Sequence, residues 1–175
     1  MLRSGFASER ETQLYLIAGR NHDHYDDDSG SFTLWGKGRL LANDFGYTGI
    51  ATAEDHNLVV SPSAQRGVMR VEEFATTERF DSVRGTRDGW TRQIAFVKDP
   101  NPLGNNYFVV SDTLREPAPM KWQLWLTAER VTTKPRAALV EGQEAVDLDL
   151  VFTAPAELTL RTHDKSRTCP AMLPN

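Results

Sequence analysis

Turn-forming residues interrupt this chain roughly every 8–12 residues, and the segments between them favour alternation of apolar and polar side chains. The clearest case is 120–128, where Trp122, Leu124 and Leu126 alternate with Gln123, Trp125 and Thr127. A period of two places successive side chains on opposite faces, which is the pattern of a strand rather than a helix. Strands are predicted on this basis at 13–18, 31–35, 39–43, 56–60, 67–74, 79–83, 90–98, 107–112, 120–128, 137–140, 146–152 and 158–160. The Gly36-Lys37-Gly38 sequence between two of them predicts a hairpin. Residues 99–106 (DPNPLGNN) carry two prolines and a glycine and predict an irregular loop. Many short strands joined by such turns predict an all-β fold, an antiparallel β-sandwich of two layers with very little helix. Neither an internal repeat nor a low-complexity linker divides the sequence, so one domain is expected over 1–161, followed by a tail at 162–175.

Composition fits this reading and excludes others. The 175 residues are 39% hydrophobic and 25% charged, enough apolar material for a real core. A net charge of -4 argues against a nucleic-acid binder, which should carry a basic excess. Apolar runs stay far short of the roughly 20 residues that cross a membrane as a helix. The first residues, MLRSGFASERETQ, lack the apolar centre of a secretory signal. Cys169 is the single cysteine, so an internal disulfide is excluded.

The chemistry-bearing residues concentrate in 21–47 (NHDHYDDDSGSFTLWGKGRLLANDFGY) and at His56-Asn57. Three of the four histidines, His22, His24 and His56, fall here with Asp23, Asp26, Asp27, Asp28 and Asp44. Extended backbone would project His22, His24 and Asp26 to one side. Imidazole nitrogens and carboxylate oxygens together suit zinc or a similar divalent cation. His24, Asp44 at the end of one predicted strand and His56 at the start of the next would supply two nitrogens and an oxygen at a shared rim. The competing reading leaves His22 and His24 as solvated loop residues beside an acidic turn. Asp26, Asp27 and Asp28 are consecutive, not alternating as a calcium loop of the EF-hand type requires. No G-x-S-x-G elbow supports serine hydrolysis at Ser29 or Ser31. A cupin-type metalloenzyme is a further alternative, since H-x-H, Asp28 and Gly36 approximate its first metal motif, but a second motif around His56 is missing.

In order, His22-Asp23-His24-Tyr25-Asp26, Gly30-Ser31-Phe32, Gly38-Arg39-Leu40-Leu41, Asp44-Phe45-Gly46 and His56-Asn57 before Val59-Val60 resemble the β-sandwich domain of heparinase II/III-like polysaccharide lyases. The MLRSG start resembles that family's first sandwich strand, and RQIAFVK (92–98) with YFVVSD (107–112) resembles its later paired strands. The similarity spans about residues 1 to 155. Two extra residues lengthen the acidic turn between Asp26 and Gly30 relative to the family pattern.

The resemblance implies that His24, Asp44 and His56 are ligands of a divalent metal, usually zinc, and that His22 lines the catalytic cleft. It implies β-elimination on a uronic-acid-containing polysaccharide in a family that is often periplasmic or secreted. Family lyases also carry a helical (α/α) toroid before the sandwich, supplying a catalytic Tyr and a carboxylate-binding Asn and His. This sequence contains no such segment, so the chain is expected to be inactive alone, with a separate or missing N-terminal toroid as its partner. A non-catalytic, metal-braced module for carbohydrate binding or assembly is the alternative. Arg92, alternating with Trp90 and Ile94, is expected to be a paired strand arginine; an exposed Trp122 or Trp125 would stack on a sugar ring.

Overall fold

The computed structural model describes residues 1–6, 8–19, 27–43, 53–64 and 67–164. Among them lie thirteen strands: β1 (Leu2–Arg3), β2 (Gln13–Leu16), β3 (Phe32–Gly36), β4 (Arg39–Ala42), β5 (Val59–Val60), β6 (Arg70–Thr76), β7 (Phe80–Arg87), β8 (Trp90–Val97), β9 (Tyr107–Leu114), β10 (Lys121–Trp122), β11 (Ala128–Lys134), β12 (Ala137–Gly142) and β13 (Leu148–Val151). The only helical pieces in the described residues are single 3-10 turns at Ala53–Asp55 and Gln143–Ala145. The strands form four open sheets, ordered β1-β2-β3-β4, β6-β7-β8-β9, β11-β12-β13 and β10-β5. Each pairing is antiparallel. The all-β, sandwich-like architecture is therefore as the alternation predicts, and a single closed barrel of the cupin type is not seen among the described residues.

The two four-stranded sheets share a core because each turns its apolar side chains inward. Leu14, Phe32 and Leu34 from one sheet meet Val83, Ile94 and Phe96 from the other, with Leu2, Leu41 and Ala42 completing the cluster. Phe96 stacks on Phe108 with ring centroids 4.3 Å apart. Burying each such side chain contributes roughly 1.5–3 kcal/mol. A second cluster of Leu58, Val59, Met69 and Trp90 lies beside it, and Trp122 and Leu16 pack against both. Lys37 (φ 53°) and Gly38 (φ 83°) both adopt left-handed backbone, which makes the predicted β3–β4 hairpin a type I′ turn.

Four local expectations are corrected. The 79–83 strand continues as β7 to Arg87, and the hairpin to β8 is only Asp88-Gly89. β11 was not foreseen, since it is largely exposed and its AERVTTK sequence has no clean apolar period. Residues 158–160 form no strand. The 120–128 run is a strand only at β10 and at Ala128, where β11 begins, with an isolated bridge from Leu126 to Ala42 between them, because the extended chain changes partner midway. Gln123 N donates to Leu58 O (3.1 Å), then Trp125 N to the Asn57 side chain (2.6 Å), then Thr127 N to Leu41 O (3.0 Å). The predicted tail at 162–175 lies mostly outside the described residues, and 162–164 carry no regular structure.

Candidate functional site

Asn57 is completely buried, and a buried amide is tolerated only when its polar groups are matched. Its backbone N–H donates to Ser31 Oγ (3.0 Å). Its Nδ2 donates to Phe32 O (2.7 Å) and Asn43 O (3.2 Å), and its Oδ1 accepts from Trp125 N (2.6 Å). One side chain thus fills a gap between the start of β3, the residue after β4 and the segment following β10. Asn57 also accepts from Arg92 Nη1 through its carbonyl (2.7 Å).

Arg92 is the second organiser of this region. It sits in β8 directly opposite Asp112 of β9, with side chains 0% and 4% exposed. The guanidinium grips the carboxylate through two parallel bonds, Nε to Oδ1 (2.8 Å) and Nη2 to Oδ2 (3.0 Å). Trp90 Nε1 and Trp122 Nε1 each donate to the same carboxylate at 2.9 Å. Four donors on one buried anion offset the desolvation that would otherwise make the pair unfavourable. Arg92 Nη1 also reaches Gly30 O (2.6 Å), and the cation lies over the Trp90 and Phe32 rings at 4.8 and 5.3 Å. Arg92 is accordingly the paired strand arginine expected from its alternation.

The acidic turn is anchored the same way. Asp27, at φ 64°, is buried and bonded to Arg87 Nη2 (2.5 Å), while Arg87 Nη1 donates to Ser29 O (2.8 Å). Gly30 N donates to Ile17 O and Ile17 N to Ser31 O, both at 2.8 Å, and Gly19 N donates to Met69 O at 3.1 Å. The chain on both sides of 20–26 is therefore held by hydrogen bonds, at Ile17 and Gly19 before it and at Asp27, Ser29, Gly30 and Ser31 after it.

Of the sequence-derived site residues, His22, His24 and Asp44 lie outside the described residues, as do Tyr25, Asp26 and Tyr47. His56 is described and completely buried. It does not begin a strand as expected. It follows the 3-10 turn Ala53–Asp55, and Gln123 Nε2 holds that turn by donating to Ala53 O (2.5 Å) and His56 O (2.7 Å). β4 likewise stops at Ala42 rather than reaching Asp44. Among the described residues no group of three or more His, Cys, Asp and Glu side chains is placed to hold a metal ion. What the structure does join is Asn43 to Asn57, the immediate neighbours of two of the three expected ligands. Trp122 and Trp125 are both partly buried, Trp122 donating from Nε1 to Asp112 and Trp125 from Nε1 to Glu54 O (3.1 Å).

Sequence reasoning missed the clamping role of Asn57. The available signal was its position after His56 and before two valines, where a polar residue entering an apolar run is expected to satisfy backbone groups. No family model, curated protein or solved structure matches this chain.

Proposed function

We propose that this chain is the β-sandwich portion of a polysaccharide lyase acting by β-elimination on uronic-acid-containing polysaccharide, and that it does not complete the reaction alone. The observation that carries the reading is the bond from Asn57 Nδ2 to Asn43 O. It holds the backbone beside His56 next to the backbone beside Asp44, as a ligand set drawn from both segments requires. The donor chemistry of His24, Asp44 and His56 fits zinc, and these residues would hold the ion. Bound zinc would supply a rigid tie between the loops flanking the cleft.

β-Elimination removes the proton next to the uronate carboxylate and expels the glycosidic oxygen, which needs a neutralised carboxylate, a base and an acid. His22 is the one group in this sequence assigned to that cleft, and a single imidazole cannot fill all three roles. The remaining groups belong to a helical toroid in the parent enzymes.

The test follows the imidazole resonances of the four histidines while hyaluronan, heparan sulfate or alginate oligosaccharides are added. A shift of the His22 signal, assigned by its loss in His22→Gln, without new near-ultraviolet absorbance from an unsaturated uronate supports the reading, whereas that absorbance would show that the chain completes the reaction alone. The absence of any His22 shift with all three glycans overturns it.

A further inference from the structure

The outward face of the first sheet carries a cluster of aromatic and polar side chains away from the core. β2 reads QLYL and β3 reads FTLW, so Leu14, Phe32 and Leu34 go to the core while Gln13, Tyr15, Thr33 and Trp35 go outward. Gln13 pairs with Trp35 and Tyr15 with Thr33, which sets the two aromatic rings on a diagonal of the same face. Tyr15 is 41% and Trp35 40% exposed, although neither position is needed to close the core. Tyr15 Oη donates to Gln13 Oε1 (2.9 Å), turning the Gln13 amide NH2 toward other acceptors.

This face is the floor of an open groove of about 720 Å³. Its wall is cationic: Arg10 from the turn before β2, Lys37 from the β3–β4 turn, and Arg39 from β4, against the single carboxylate of Glu9. Arg39 is shared with the exposed Glu144. A cationic wall on a chain of net charge -4 is local, and it surrounds rings that present flat apolar faces to solvent.

We propose that this groove binds an anionic oligosaccharide, with a sugar ring stacked on Trp35 and Tyr15 and its carboxylate or sulfate held by Lys37 and Arg10. Flat aromatic faces match the C–H faces of a pyranose ring, the Gln13 amide and Thr33 hydroxyl match its hydroxyls, and the cations match its acid. Nucleic acid also combines rings with negative charge. Its duplex form carries a charge about every 1.7 Å, however, and Arg10 and Lys37 opposed by Glu9, with Arg39 already paired to Glu144, suit a sparser polyanion. The groove lining includes neither His22 nor His56. A chain that shows the His22 shift without groove binding fails this proposal alone, and the converse result fails only the lyase reading.

The experiment titrates the intact chain with hexasaccharides of hyaluronan, alginate and heparan sulfate, with neutral cellohexaose and a single-stranded oligodeoxynucleotide as competitors, by calorimetry and tryptophan fluorescence. Trp35→Ala is compared with Lys37→Asn, a charge-removing change that the type I′ turn favours, so that folding is kept in at least one variant. The expected result is binding of at least one acidic hexasaccharide, weakened about 10-fold or more by Trp35→Ala and about 3-fold by Lys37→Asn, and weakened further as salt is raised. Failure of all three acidic hexasaccharides to bind, equal binding of cellohexaose, tighter binding of the oligodeoxynucleotide, or affinity unchanged in both variants would each overturn it.

Discussion

Arg92 and Asp112 face each other across adjacent strands as a buried two-point ion pair, and the groups bonded to that pair come from β8 itself, β10, the acidic turn and the His56-Asn57 bend. Trp90 Nε1 and Trp122 Nε1 share the carboxylate, while Gly30 O and Asn57 O share the guanidinium. The pair thus connects the acidic turn, the His56-Asn57 bend and the 120s segment to the central sheet. Replacing Asp112 by Asn leaves a buried cation without its counter-charge, and the expected loss is about 3–5 kcal/mol. Urea unfolding checks this: the midpoint falls well below that of the parent chain. Arg92→Lys should also destabilise, since an ammonium cannot make both parallel bonds.

Asn57→Asp is nearly isosteric, yet it removes the donor that serves Phe32 O and Asn43 O. Each carbonyl left without a partner costs about 1–3 kcal/mol. The new carboxylate would also be buried against two carbonyl oxygens, so the loss should exceed that of Asn57→Leu. Equilibrium unfolding of the two variants gives the order directly.

Gly30 adopts φ +100°, and a Cβ there would lie 2.7 Å from the Trp90 ring and 2.9 Å from Met69 Cε. Gly19 adopts φ +132° with nothing within 4 Å of an added Cβ. Gly30→Ala should therefore combine backbone strain with overpacking, the latter worth about 1–3 kcal/mol, whereas Gly19→Ala carries the backbone term alone. The difference in melting temperature between the two variants isolates the steric part.

The architecture was legible because its strands bury one face: Ile94 and Phe96 in β8, and Phe32 and Leu34 in β3, lie two positions apart, and Val83 and Leu14 are their cross-strand partners. The partner change at 123–127 was not, because alternation records which face is buried and not which neighbour supplies the hydrogen bonds. Only the fold places the Asn57 side chain where a strand would otherwise stand. The outward pair of Tyr15 and Trp35 was hidden for the same reason, since the strand pattern marks them as the solvent face without showing that the cations of two turns close around them. The site stretch 21–47 was legible as chemistry, and the described residues fix its borders at Gly19, Asp27 and Asn43.

The central claim, that two imidazoles and a carboxylate from separate segments meet on one cation, is tested most directly by zinc stoichiometry. The purified chain is stripped with a chelator, reloaded with zinc, desalted and analysed by elemental mass spectrometry beside His24→Ala and Asp44→Ala. The account predicts one zinc per parent chain and loss of that zinc in both variants while their far-ultraviolet circular dichroism is kept. A parent chain that retains no zinc, or variants that retain it in full, would contradict the account.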